Sequence, residues 1–157
     1  MQIYNARVAN FTASTANSII ELATGEDRST AILEIDAQGA GTTSAHMEAG
    51  IFRVSAIGTG TAQTAVTPVN VSQPSSVPTY TGVVGTGAWG TAQATLAANA
   101  LHPFAVNANG QRYFWRCMPN LSNALFVQGG GGVNGTLSCR FATMPANASI
   151  RMQLAEF

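Results

Sequence analysis

The sequence has very little charge. Only 9% of its 157 residues are Asp, Glu, Lys or Arg, against about 25% in ordinary soluble domains. All seven basic residues are arginine, and the stretch from Val54 to Gln111 has no charged residue. Charge normally keeps a surface solvated and separate from its neighbours, so this composition is typical of a protein that contacts other chains. A biased genome composition is the alternative explanation for the missing lysines.

Other absences exclude whole classes of partner. The seven arginines are scattered and balanced by seven acids, so no basic patch for a nucleic acid is expected. No apolar run approaches the roughly 18 residues that a membrane-spanning helix needs. The N-terminal MQIYNARVANF lacks the basic start and apolar core of a signal peptide. The expected partners therefore include neither nucleic acid nor membrane.

Cysteine and histidine are also scarce. Cys117 and Cys139 are too few for a disulfide framework and do not form a metal pair. Buried free thiols are expected, with a bridge between neighbouring strands as the alternative. His46 and His102 are the only two histidines, too few for the ligand set of a metal-binding barrel. The sequence therefore predicts no metal and no cofactor.

Signals for catalysis are weak. Glu34 and Asp36 are spaced to share one face of a strand, and two close carboxylates are the pair that glycosidases use. A solvated or subunit-facing strand gives the same pattern, and no aromatic sugar platform adjoins them. The run QGGGGVNG (128–135) lacks the Gly-Lys-Ser/Thr ending of a phosphate loop, and there is no G-x-S-x-G elbow. We therefore expect a protein that is not an enzyme. A sandwich hydrolase that uses Glu34 and Asp36 is the least favoured of the alternatives.

What the sequence does have is β periodicity along nearly its whole length. Short strand-like runs separated by turn residues favour a sandwich or barrel over βαβ units. At this length a single domain, residues 1–157, is expected. Residues 92–101 are interpreted as a turn of helix or a loop. The predicted strands are 3–11, 18–24, 30–37, 50–58, 64–71, 79–85, 102–108, 111–118, 124–128, 136–143 and 149–157.

Alternation within the strands predicts which side chains face inward. The predicted inward residues are Ala31, Leu33 and Ile35 in one strand, Phe52, Val54 and Ala56 in another, and Ile150, Met152 and Leu154 in the last.

The pair Asn109-Gly110 predicts a type I′ turn that joins strands 102–108 and 111–118 as a β-hairpin. Burying an unpaired arginine is costly, so the arginines of the second strand are placed outside. The inward face then carries Tyr113, Trp115 and Cys117, and the outer face carries Arg112, Phe114, Arg116 and Met118. We interpret the outer face as a contact surface.

Residues 59–95 form a segment rich in Pro, Thr and Gly, which predicts an extended arm or long loop within the domain. Free linkers rarely carry apolar residues, whereas this segment carries several. That favours a segment lying on another subunit, with packing on its own domain as the alternative. The contact residues predicted here are Val69, Val71, Tyr80 and Trp89.

The order of these features resembles the head decoration, or cement, proteins of tailed bacteriophages. The resemblance rests on layout across most of the chain: charged opening strands (SIIELATGEDRSTAILEIDA), an apolar GIFRVSAIGTGT, a Pro/Thr-rich VTPVNVSQP, the stretch HPFAVNANGQRYFWRCMP, a Gly-rich turn and a closing LAEF. There is no diagnostic motif. The two cysteines and the length of the uncharged middle depart from the pattern.

The resemblance implies a jelly-roll-like antiparallel β-sandwich in an all-β chain that assembles as a homotrimer. It further implies binding to the major capsid protein of a phage shell, which the protein would stabilise from the capsid exterior after synthesis in the host cytoplasm. The alternative is a receptor- or glycan-binding β-sandwich of tail-fibre or lectin type, with Trp89, Tyr80 or the Gly-rich turn as the sugar platform.

Overall fold

The computed structural model describes residues 1–11, 18–23, 29–54, 63–65, 69–71, 81–85, 100–118, 120–121, 123–127, 136–141 and 147–157. These residues contain β-strands and no helix, which confirms the predicted all-β class. The strands are β1 (Gln2–Phe11), β2 (Ser18–Ala23), β3 (Thr30–Gly39), β4 (His46–Val54), β5 (Gln63–Ala65), β6 (Val69–Asn70), β7 (Thr81–Gly85), β8 (His102–Asn107), β9 (Arg112–Arg116), β10 (Leu125–Val127), β11 (Thr136–Phe141) and β12 (Ala148–Glu156).

Two antiparallel sheets face each other. Sheet A has the order β6-β1-β12-β3, and both β9 and β10 pair with the remaining side of β3, one after the other along its length. Sheet B has the order β5-β7-β2-β11-β4-β8. Strands β1, β3, β9 and β12 lie in sheet A, and strands β2, β4, β8 and β11 lie in sheet B. Among these eight strands the chain changes sheet at each step except between β4 and β8. The chain is therefore a β-sandwich.

The core lies between the two sheets. Closing strand β12 shows the predicted alternation, because Ile150, Met152 and Leu154 are all buried in the core. From sheet B, Leu137 and Phe141 of β11 meet them, and Tyr113 and Trp115 pack against this core from β9 as predicted. Period-2 patterning thus places the apolar side chains of both sheets in one layer.

The predicted hairpin at Asn109-Gly110 is wrong. Strand β8 pairs with β4 in sheet B, whereas β9 pairs with β3 in sheet A. Only Gly110 has a positive φ here, of 74°, so the turn is not type I′, which needs positive φ at both central residues. The backbone N–H of Asn109 instead donates to the side-chain Oδ1 of Asn107. The chain thus turns a corner from one sheet to the other.

The inward face predicted for β3 is wrong at Leu33. The pairing with β12 shifts between Gln153 and Leu154, so that β3 has one extra residue there. Such a bulge reverses the alternation beyond it. Ile32 therefore enters the core together with Ile35, and Leu33 lies toward the outer side of the sheet.

The face predicted for β4 is also reversed. Ile51 enters the core between the sheets, whereas Phe52 and Val54 lie on the other side of sheet B. Val54 is nevertheless fully buried there, so its predicted burial is confirmed although its predicted face is not. Arg53 shares the face of Ile51, and its Nη2 donates a hydrogen bond to the backbone oxygen of Phe126 in sheet A, at 3.3 Å. A long arginine can extend its charged end past an apolar neighbour to a polar partner, so its presence did not mark the outer face. Ala56 lies outside the described residues.

The predicted strand 64–71 is two strands in different sheets. β5 pairs with β7 at the edge of sheet B, and β6 pairs with β1 at the edge of sheet A. These described parts of 59–95 pair with this chain's own strands. The rest of 59–95, and most of the segment 92–101, lie outside the described residues, so the extended arm stays a prediction.

Candidate interaction surface

The outer surface of sheet A gathers most of the chain's arginines. Strand register sets the side chains of β9, β3, β12 and β1 in rows across it: Phe114, Asp36, Arg151 and Arg7 in one row, and Arg116, Glu34, Gln153 and Asn5 in the next. We call this surface the A face. Four of the seven arginines lie on it, against Glu34 and Asp36 as its described carboxylates. Four positive and two negative charges give a formal charge of +2 in a chain of net charge zero.

Arg112 and Asp36 form a two-pronged ion pair. The Arg112 Nε and Nη2 donate to Oδ1 and Oδ2 of Asp36 at 2.6 and 2.7 Å. The hydrogen bond that Arg112 donates to Asp36, and then the negative charge of Asp36, raise the pKa of Arg112. Parallel hydrogen bonds of this kind fix orientation as well as charge, so the guanidinium is held over β3.

Glu34 is the centre of the charge network. Its side chain is only 3% exposed, and Arg116 donates to its Oε2 from Nη2 at 2.7 Å and from Nε at 3.1 Å. Arg151 donates to Oε1 of Glu34 and also lies 3.4 Å from Oδ2 of Asp36. The expected carboxylate pair is therefore present on one face, but arginines hold both members.

Phe114 stands between two arginines. Its residue is 47% exposed, and the guanidinium carbons of Arg112 and Arg116 each lie 5.5 Å from its ring centroid. Both distances are within the range of cation–π attraction. The predicted outer face of β9 is confirmed, and its contact role stays a prediction.

Two depressions lie on the A face. A polar groove of about 310 Å³ is lined by Arg7, Asp36, Gln38, Arg112, Ser149, Ile150 and Arg151. A mostly apolar pocket of about 450 Å³ is lined by Met1, Leu33, Arg116, Cys117, Met118, Leu121 and Gln153. The bulge in β3 is what supplies Leu33 to this pocket.

Val69 and Val71 lie at the far edge of the same face. Val69 is opposite Asn5 of β1, and the two valines are 67% and 55% exposed. Four strand spacings separate them from β9, a distance of about 19 Å. Five predicted contact residues therefore share one face, and the other two, Tyr80 and Trp89, lie outside the described residues.

Sequence reasoning missed Arg7 and the shared role of Arg151. Alternation in β1 and β12 places both on the outer side, but nothing local shows that β1 and β12 are neighbours. Cα register sets Arg7 directly opposite Arg151, although 144 positions separate them in the chain.

A second polar cluster joins the start of β8 to β9. His102 Nε2 and Tyr113 Oη are 2.6 Å apart, and the His102 and Trp115 rings lie 4.7 Å apart. Burial lowers the pKa of His102 and raises that of Tyr113. The lowered pKa of His102 favours the neutral imidazole, which can form its hydrogen bond with the Tyr113 hydroxyl without burying a charge.

The remaining candidates are simpler. His46 and Glu48 are exposed at the start of β4 and lie 3.3 Å apart. Cys117 and Cys139 are free thiols in different parts of the sandwich, which favours the predicted free state over a bridge. Cys139 is buried as predicted, but the prediction of a buried, inward thiol is wrong for Cys117, which is half-buried and lines the apolar pocket of the A face. Within the part of the chain that the structure describes, no three His, Cys, Asp or Glu residues form a group that could hold a metal ion. That part also has no helix long and apolar enough to cross a membrane.

Comparison of the chain with protein-family models, curated proteins and solved structures found no match.

Proposed function

We propose that this protein is a structural virion protein that binds over a bacteriophage capsid as a homotrimer and stabilises the shell. The observation that carries the proposal is the composition of the A face. Arginine, phenylalanine and methionine are the residue types that protein interfaces favour, and lysine is depleted in them. Here Arg112, Arg116 and exposed Phe114 adjoin the apolar pocket at Met118.

We further infer that the sandwich is a jelly roll. The inference is supported by the strand neighbours β1-β12-β3-β9 in one sheet and β2-β11-β4-β8 in the other. Among these eight strands the chain changes sheet at every step except between β4 and β8, as it does in two Greek keys, and the short strands β5, β6, β7 and β10 are added. The jelly roll is a frequent fold of viral capsid proteins, although a fold alone does not specify a function.

A shell-binding protein needs contact area more than it needs a pocket. An interface of about 1,600 Å², repeated many times over a capsid, stabilises the shell even if each contact is modest. A sheet face that combines apolar side chains with arginines held by ion pairs suits such a contact. The absence of charged residues from Val54 to Gln111 further supports contacts between subunits, because interfaces are poor in charged side chains.

The first experiment is the native mass, measured by light scattering behind a sizing column over a range of concentrations. We expect a trimer that persists on dilution, and association with capsids that lack the protein in a co-sedimentation assay. A monomer at every concentration that also fails to bind such capsids would overturn the proposal.

A matched pair of variants tests whether the A face makes the contact. Phe114 and Leu101 are 47% and 44% exposed, but Phe114 lies on the A face and Leu101 precedes β8 of sheet B. Phe114→Ser should weaken capsid binding or subunit association, and Leu101→Ser should leave both unchanged. Equal effects would remove the A face from the proposal.

The same fold also occurs in lectins, which favours glycan binding as the second candidate. Its predicted platform at Tyr80 and Trp89 lies outside the described residues. Two results together would favour this candidate over shell binding: the protein binds glycans on an array but does not bind capsids, and Trp89→Ala abolishes the glycan binding.

A further inference from the structure

The polar groove of the A face contains a positive charge, on Arg7, that no carboxylate among the described residues neutralises. Arg7 is exposed and lies directly opposite Arg151 on the neighbouring strand. Like charges in that position destabilise a sheet. Among the described residues no carboxylate lies within ion-pair distance of Arg7, and Arg151 is already shared by Glu34 and Asp36.

In the groove the hydrogen-bond acceptors of the carboxylate Asp36 are occupied, whereas the arginines keep N–H donors that the described carboxylates do not accept from. Both oxygens of Asp36 accept from Arg112. A guanidinium has five N–H donors, so Arg112 keeps three after these two bonds, and Arg7 uses none on a described carboxylate. Gln38 and Ser149 also line the groove and add an amide and a hydroxyl. The groove is therefore rich in hydrogen-bond donors and has a surplus of positive charge.

We propose that the groove at Arg7, Arg112 and Arg151 binds a carboxylate side chain of an acidic protein segment. The flat fork of a guanidinium matches the two oxygens of a carboxylate. Asp36 and Glu34 hold Arg112 and Arg151 in place, so little side-chain freedom is lost when the ligand arrives. Identifying the segment as part of the shell protein rests on the proposed function.

A protein segment suits this face better than a nucleic acid does. Nucleic acids bind along extended rows of positive charge, and their affinity grows with the number of phosphates neutralised. The A face has a surplus of only two charges, and next to Arg116 it has an apolar pocket lined by Leu33, Met118 and Leu121. A peptide with an acid beside a leucine-like residue would use both depressions.

The test uses the full chain and defined probes in isothermal titration calorimetry at low salt. The probes are an acidic octapeptide of Glu, Asp and Leu, its Gln, Asn and Leu counterpart, inorganic phosphate, and single-stranded DNA of eight nucleotides. We expect saturable binding of the acidic peptide that weakens as salt rises. Tighter binding of DNA or phosphate, equal binding of the uncharged peptide, or no saturable binding of the acidic peptide would overturn the proposal.

Matched variants then locate the site. Arg7→Gln and Thr42→Glu change the net charge by the same amount, but Thr42 is exposed in the connection between β3 and β4. Loss of one hydrogen bond to a charged group should weaken binding about 10-fold in Arg7→Gln, and Thr42→Glu should stay close to wild type. Equal losses in both variants would show a general charge effect and refute the site. Thermal unfolding of each variant checks that it folds.

Capsid binding separates this proposal from the proposed function. If the acidic peptide depends on Arg7 but capsids lacking the protein do not bind the wild type, the groove stands and the shell-binding role fails. If such capsids take up Arg7→Gln as well as the wild type, the role stands and the groove as its anchor fails.

Discussion

The rings of Phe104 and Tyr113 stack nearly parallel, with centroids 4.7 Å apart and planes inclined by 17°, although the two residues lie in different sheets. The turn at Ala108–Gln111 carries the chain from β8 in sheet B to β9 in sheet A. It thereby brings the side chains of consecutive strands together across the core instead of along a shared hairpin.

A double-mutant cycle should detect this contact between the sheets. For Phe104→Leu and Tyr113→Leu we expect a coupling of about 0.5–1.5 kcal/mol in the free energy of unfolding, because stacked aromatic pairs contribute that much beyond their buried area. Urea denaturation of the four proteins measures it. The control cycle combines Phe104→Leu with Phe114→Leu. Phe104 lies in the core and Phe114 on the outer side of sheet A, so the effects of the two changes should add within about 0.5 kcal/mol. Coupling of equal size in both cycles would contradict the prediction.

Gly39→Ala should destabilise the corner. A Cβ at Gly39 would overlap the backbone oxygen of Asn107 and lie 2.6 Å from that of Ala108. Because backbone atoms would have to move, we expect a loss of about 1–3 kcal/mol, measured by thermal or urea unfolding. Ala40→Ser, at the exposed next residue, should change stability by less than about 0.5 kcal/mol. A stable Gly39→Ala protein would mean that the corner does not pack against β3 as described.

Glu34→Gln should weaken the fold although Glu34 is not in the core. The side chain is 3% exposed, and its two arginine partners are 67% and 37% exposed. Because both guanidinium groups are partly exposed, water can replace part of the hydrogen bonding that they lose with the carboxylate. We therefore expect the free energy of unfolding to fall by about 1–2 kcal/mol. Glu48→Gln, at a side chain that is 64% exposed, should cost less than about 0.5 kcal/mol. Equal effects of the two changes would show that the network contributes no stability.

Stability should fall at alkaline pH because of Cys139. Complete burial raises the pKa of this thiol from 9.0 to about 12. Between these values the unfolded chain has lost the thiol proton and the folded chain has kept it, so rising pH favours unfolding. The free energy of unfolding should fall by up to about 1.4 kcal/mol per pH unit above pH 9 from this group alone.

Comparison with Cys139→Ala isolates this effect. Urea denaturation from pH 8 to pH 11 should give a shallower fall in the variant, whatever its absolute stability. At pH 8 a thiol reagent should modify half-buried Cys117 and leave buried Cys139 unmodified until the protein unfolds. Parallel pH profiles, or early modification of Cys139, would contradict the burial of this residue.

Local patterning predicted most of the secondary structure and part of the candidate site. Each of the eleven predicted strands overlaps an observed one, because alternation and turn residues act over a few positions. The inward face of β12 and the outer face of β9 followed from the same rule. The inward faces of β3 and β4 were predicted wrongly because residues far away in the chain determine them. The extra residue at Leu33 is defined only by the pairing of β3 with β12, and Arg53 donates to a backbone carbonyl of the other sheet.

The sequence by itself determined an all-β chain with few charges and an arginine- and aromatic-rich outer face on β9. Only the tertiary structure decided that Asn109-Gly110 turns a corner between sheets, because that choice depends on which strands β8 and β9 find as partners. It also decided the A face, since Arg7, Asp36, Arg112 and Arg151 come from four different strands. Strand register over such separations depends on the packing of the whole core, which local sequence does not record.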